Sequence, residues 1–114
     1  MSQVIDYDNL NMLKSVIGDD LKPILTSFLE ITPDLISQVR AAIDAQDASA
    51  LQHHAHTLKG SAANIGAMAL PAISLKLEIM GKNGQLDGAQ ALLAEVDTAY
   101  QTLATAIENY IAEF

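Results

Sequence analysis

The feature that most limits how this chain can fold is a helical hydrophobic period running through almost its whole length. Apolar residues recur at three- and four-residue steps, and the strict alternation of a half-buried strand is absent. Leu21, Leu25, Phe28, Thr32, Leu35, Val39 and Ala42 follow a 4-3-4-3-4-3 spacing, which keeps one face of a long helix inward. The period predicts five helices: a short one over about Tyr7–Ile17, then about Asp20–Gln46, Ala48–Ile65, Ala69–Lys82 and Asp87 to the C-terminus. Asp6 or Asp8 is placed to cap the first, and Gly18 to end it. Asp19 and Asp20 offer carboxylates to the free N–H groups of the second. Pro33 falls inside that helix, but the stripe keeps its phase across it, so one bent helix is expected.

Leu51, Ala55, Leu58, Ala62 and Ile65 form the inward stripe of the third helix, with Gly66 as its stop. Leu70, Ile73, Leu77 and Met80 serve the fourth, and Gly81-Lys82-Asn83-Gly84 reads as a turn. Leu92, Val96, Ala99, Leu103, Ile107, Tyr110 and Phe114 serve the fifth. Met12, Met68 and Met80 read as gap-filling core or interface residues. Short links make neighbouring helices antiparallel, so the expected fold class is all-α: an up-down-up-down four-helix bundle with a short N-terminal capping helix. With 114 residues, half of them hydrophobic, residues 1–114 fit one domain with an adequate core.

Composition then removes whole classes of function. There is no Cys, which excludes thiolate nucleophiles, disulfides and Cys-ligated metal. A formal charge of −8 argues against nucleic acid as a partner. No apolar run approaches the roughly 20 residues of a membrane span, and the N-terminus lacks a signal-peptide pattern. A cytoplasmic monomer is expected, an independent protein in the first place and a domain of a larger one as the alternative.

One segment, Leu51 to Gly66, holds all three histidines. At about 100° per residue, His53, His56 and Gly60 face solvent while His54 lies at the edge of the core. Lys59, three residues after His56, lies at the boundary, where its side chain leans back toward the imidazole. A helical Gly costs about 1 kcal/mol relative to Ala, and no core packing explains one on an exposed face. Gly60 therefore points to access: a side chain removed so that another backbone can approach His56, with Ala63 and Asn64 continuing the same small surface. Between Asp47 and Glu78 there is no acidic residue, which leaves the region compatible with an anion. The histidine spacing gives no zinc motif, and no G-x-S-x-G supports a serine hydrolase.

The run Ala55-His56-Thr57-Leu58-Lys59-Gly60-Ser61-Ala62, closed by Gly66, resembles the signature of histidine-containing phosphotransfer (HPt) domains. Phe28-Leu29-Glu30-Ile31-Thr32-Pro33 is similar to the helix that precedes it in that family. The resemblance implies that His56 accepts a phosphoryl group, Lys59 stabilises it and Gly60 clears space, with Ser61 or Thr57 in support. It implies exchange with an aspartate of a response-regulator receiver domain, or of the receiver domain of a hybrid histidine kinase. The receiver supplies the acidic pocket and Mg²⁺; no intrinsic cofactor is expected, and no nucleotide-binding loop is present for ATP. Nε2 is the expected attacking atom, since it extends furthest from the helix. Docking is expected on the His56 face and the adjacent second helix, through Ile31, Ile36, Ala63 and Asn64. The competing reading is a helical adaptor that binds a signalling partner without phosphate chemistry.

Overall fold

The helical period is realised as five α-helices in a computed structural model that describes residues 5–114. The first four residues, part of the segment argued not to be a signal peptide and of the single domain proposed for 1–114, lie outside the described residues. Helices α1 (Tyr7–Ile17), α2 (Leu21–Asp44), α3 (Ala48–Asn64), α4 (Ala69–Asn83) and α5 (Ala89–Ala112) follow in order. Helix α2 packs on α3, α3 on α4, α4 on α5 and α5 back on α2, which closes an antiparallel four-helix bundle. No described helix is long and apolar enough to cross a membrane.

Helix α1 closes one end of the bundle. Asp6 caps it, its Oδ1 accepting the Asn9 N–H at 3.1 Å. Tyr110 of α5 donates to Asn11 Oδ1 at 3.0 Å, and the Lys14 ammonium sits 4.4 Å from the centre of the Phe114 ring. The chain before α1 is tied to the end of α3: the Asp6 N–H donates to the Gly66 carbonyl at 2.7 Å. Gly66 ends α3 with φ +80°, and the N–H groups of Gly66 and Ala67 return to the carbonyls of Ala63 and Ala62. At that left-handed stop glycine avoids the steric cost of a Cβ.

Several expected details are corrected. One turn of 3-10 helix over Gly18–Asp20 precedes α2, and the Asp20 side chain makes no capping bond. The core of α2 takes Ile36, 5 % exposed, while Leu35 is only half-buried. Ile36 is therefore a packing residue and not a docking residue. Leu93 is buried where Leu92 was expected, and Ser74 where Ile73 was. Met12 and Met68 are exposed, so neither fills the core.

The largest correction is Gly81. It belongs to α4 and is buried; the chain turns only at Gly84. A Cβ at residue 81 would lie 2.5 Å from the Gln52 nitrogen and 2.7 Å from the Ala48 carbonyl oxygen. The bare backbone of α4 thus touches the bare backbone of α3. Ser74, two turns earlier on the same face, is also small and buried.

Pro33 is accommodated within one continuous helix, as the unbroken stripe requires. Its ring nitrogen cannot donate to the Leu29 carbonyl one turn back. Tyr100 of α5 supplies the missing donor, its hydroxyl reaching Leu29 O at 3.1 Å while its ring packs against Phe28. Burial, with a smaller contribution from Glu108, raises the Tyr100 phenol above the usual 10.0.

Two outcomes follow for stability. Gly81→Ala should destabilise the bundle by about 1–3 kcal/mol, read as a lowered denaturant midpoint, because backbone has no room to yield. Tyr100→Phe should cost about 1 kcal/mol by orphaning the Leu29 carbonyl. The phenol's folded-state pKa is raised, so its contribution is whole below 10.0 and is lost as pH climbs through the raised value. Alkaline titration of stability should show a larger loss in the native protein than in Tyr100→Phe, where the Tyr110 phenol, also raised by burial, still contributes.

Candidate functional site

Helix α3 holds its inward stripe, Leu51, Ala55, Leu58 and Ala62, fully buried. The histidines therefore sort as the period demands: His53 and His56 exposed, His54 half-buried. The His56 side chain is 66 % exposed. Gly60, one turn on, is also exposed, and a Cβ there would meet nothing within 4 Å. No packing constraint accounts for that glycine.

His56 is not free at both nitrogens. Its Nδ1 lies 3.0 Å from Glu78 Oε2, on α4. The other oxygen of the same carboxylate, Oε1, is 2.7 Å from Lys59 Nζ. One carboxylate, 19 % exposed, thus joins the imidazole and the ammonium. The Lys59 hydrogen bond holds the Glu78 carboxyl below its ordinary 4.5; burial opposes this, and His56 adds to the lowering. An ionised carboxylate only accepts, so Nδ1 must be the donor. The neutral ring then carries its proton on Nδ1, and its Nε2 lone pair is unencumbered.

Glu78 was absent from the expected site. It closed the acid-free stretch of sequence, which suggested a region without carboxylates around His56; the fold brings it back 22 residues along the chain. A signal for it existed. His56 and Glu78 stand eleven residues either side of Ala67, so an antiparallel hairpin folded at Gly66-Ala67 sets them opposite one another. Gln52 and Gly81, which touch, fall within one residue of the same register.

The remaining expected residues divide. Lys59 is half-buried and close to the imidazole, but its direct partner is Glu78. Thr57 donates to the His53 carbonyl of its own helix at 3.1 Å and does not reach the ring. Ser61 is half-buried and makes no side-chain hydrogen bond among the described residues. Ala63 and Asn64 are exposed near the end of α3, and Ile31 is 54 % exposed on α2. His53 and His54 contact each other, ring centres 5.2 Å apart. Among the described residues, no three His, Asp or Glu side chains are placed to share a metal ion.

Comparison with known proteins bears on the family and the fold. A family model described as the Hpt domain matches residues 23–106. No curated protein matches the chain. Among solved structures, histidine-containing phosphotransfer protein B (HptB) from Pseudomonas aeruginosa PAO1 is similar with a TM-score of 0.95 at 26 % identity. That match covers 100 % of this chain and 99 % of the other. The histidine-containing phosphotransfer domain of ArcB from Escherichia coli matches with a TM-score of 0.82, covering 96 % and 94 % of the two chains. At 18 % identity, that second likeness speaks to the fold alone. The family match begins in the first turn of α2, takes in α3 and α4 whole and runs through most of α5: the chain belongs to the Hpt domain family.

Proposed function

We propose that this protein carries a phosphoryl group on Nε2 of His56, exchanging it with the aspartate of a receiver domain in a multistep phosphorelay. The partners would be a response-regulator receiver and the receiver of a hybrid histidine kinase. The observation that carries the reading is the single carboxylate of Glu78 joining an exposed imidazole to Lys59.

The chemistry follows from that arrangement. With Nδ1–H donated to Glu78, Nε2 attacks the phosphorus of an aspartyl phosphate. The N–P bond forms as the P–O bond to the aspartate breaks, and that electron pair stays on the aspartate carboxylate. Positive charge gained by the ring is met by Glu78 through the Nδ1–H bond. In the reverse direction the proton is still on Nδ1, so the ring departs as neutral imidazole and not as an imidazolate anion. Lys59 stands one turn along the helix with a flexible stem, close enough to offer its ammonium to the phosphoryl oxygens. Gly60 leaves the approach open. Phosphoryl transfer depends on alignment and charge neutralisation more than on covalent assistance, so a presented nucleophile with one carboxylate and one ammonium is sufficient. Mg²⁺ belongs to the receiver in this scheme, and the chain acts as a phosphoryl carrier and not as a kinase.

Incubation with phosphorylated receivers should give base-stable, acid-labile label that His56→Ala abolishes; label that persists in His56→Ala would defeat the assignment. Gly60→Leu should fold at least as well as the parent, since it removes a helical glycine, yet transfer at least tenfold more slowly because the approach is filled. Glu78→Ala should shift the imidazole toward the Nε2–H tautomer, read from the two ring ¹⁵N shifts of His56, and slow transfer from the receiver. An unchanged tautomer balance in that variant would remove Glu78 from the mechanism.

A further inference from the structure

Two side-chain oxygens on α4 are closed to solvent, Ser74 Oγ and Glu78 Oε1. Glu78 Oε1 has Lys59 Nζ at 2.7 Å. Ser74 Oγ has no hydrogen-bond partner among the described residues, and the residue is 0 % exposed. A hydroxyl inside a helix commonly returns to the carbonyl four residues back, as those of Thr26, Thr32, Thr57, Thr102 and Thr105 do. Ser74 does not. Close packing of α3 and α4 asks only for a small residue there, and Ala would meet that need without burying an orphaned hydroxyl.

The hydroxyl lies where Glu78 can use it. Ser74 is four residues before Glu78, so the two stand one above the other on the same side of α4. Helical side chains lean toward the N-terminus, which aims the Glu78 carboxylate back over Ser74. Across the hairpin, the contact of Gly81 with Gln52 sets a register in which Ser74 stands opposite Lys59. The ion pair of Glu78 with Lys59 therefore closes over Ser74. A hydroxyl finds a new partner by rotating about one bond, and here no existing bond has to break first. Lys82, four residues after Glu78, is exposed, whereas Oε1 is closed to solvent.

Resting on the phosphoryl-carrier reading above, we propose that Ser74 is a positioning residue, a reserve donor for Glu78 Oε1. In the resting protein Lys59 occupies that oxygen and the hydroxyl is idle. Once His56 carries phosphate, the ammonium turns to the phosphoryl oxygens and leaves a buried carboxylate oxygen without a donor. Such an orphaned charge is costly. Ser74 Oγ–H then donates to Oε1, so Glu78 stays ionised and keeps accepting from Nδ1–H. No proton changes owner; one hydrogen bond replaces another. The serine acts through Glu78 and does not touch the phosphoryl group.

The first test compares the two states. Each receiver domain of the source organism is phosphorylated with acetyl phosphate, and the fastest donor to this protein is kept. Label is followed until its division between receiver and carrier is constant. Ser74→Ala should move that division about tenfold toward the receiver, the worth of one hydrogen bond to a charged group. Unphosphorylated Ser74→Ala should unfold at a denaturant midpoint at or above that of the parent, because its hydroxyl has no partner to lose. An unchanged division of label overturns the proposal, since the hydroxyl is then unused. A lowered midpoint overturns it too, since the hydroxyl is then already bound at rest. So does a shift of label found in Lys82→Met and absent from Ser74→Ala, which would make the lysine the reserve donor.

A second measurement needs no phosphate. In Lys59→Met the ammonium is gone, so Ser74 should hold Oε1 in the resting protein. Adding Ser74→Ala to Lys59→Met should make the Glu78 carboxyl titrate about one pH unit higher, read from its ¹³C shift. Ser74→Ala alone should leave that titration in place, because Lys59 still holds the oxygen. Identical titrations of Lys59→Met with and without Ser74→Ala overturn the reserve donor and leave the carrier reading intact. If the parent takes label from no receiver, the carrier reading fails, and the Lys59→Met titrations still decide whether Ser74 serves Oε1.

Discussion

The close approach of α3 and α4 at Gly81 is the constraint on which the site depends. Backbone meets backbone there, with no side chain to hold the helices apart. Gly81 is one turn beyond Glu78, and Gln52 is one turn before His56, so the contact lies directly below the site. Glutamate is a short lever. Its carboxylate spans from α4 to a histidine and a lysine on α3 only because the two helices are nearly touching. A methyl group at residue 81 would part the helices where that reach is set, so a packing residue governs the geometry of a chemical one. The same contact fixes register, since sliding α4 by one residue would rotate Glu78 by about 100° and carry it off the face.

Most of the architecture was legible in the sequence because helical period is a local property. The five helices, the caps at Asp6 and Gly66, the uninterrupted helix through Pro33 and the exposure of His56 and Gly60 all follow from spacing within one segment. What was not legible required knowing the neighbour. Leu35 and Ile36 lie on opposite flanks of one stripe, about 100° apart, and only the helices packed on either side decide which is buried. Gly81 followed by Lys-Asn-Gly has the composition of a turn; it is helical because α3 lies against it. Tyr100 completes the Leu29 carbonyl from 71 residues away, which no local pattern encodes. Glu78 was recoverable from the hairpin register, but charge along the chain was read there as if it were charge in space.

Lys59 has one anion at rest and would meet a second in the proposed reaction. In the resting protein it is bound to Glu78, and that bond is the main reason the carboxyl stays ionised below 4.5. The sign matters for the imidazole: a carboxylate with a lowered pKa gives up its charge only as pH falls through that lowered value, so at neutral pH Glu78 always accepts from Nδ1. Lys59 thereby acts on the ring at rest without touching it, by keeping the ring's acceptor charged. Under the proposed carrier function, a phosphoryl group on Nε2 would give the ammonium a second and more highly charged partner. Any share it gives to phosphate weakens its hold on Glu78. The ring, positive once it carries phosphate and a proton, supplies compensating charge to the same carboxylate.

That compensation explains why a nearby carboxylate does not make the site hostile to phosphate. Glu78 faces the Nδ1 side of the ring, so the imidazole itself stands between its charge and a group on Nε2. Coulomb repulsion across that span is softened further by solvent, to which His56 is 66 % exposed. The carboxylate's hydrogen bond to Nδ1 is direct, at 3.0 Å, while its repulsion of phosphate would act over a longer distance and through solvent. Orientation and proton placement therefore win over repulsion, and a helix surface with one glycine, one lysine and one carboxylate is enough to present a nucleophile.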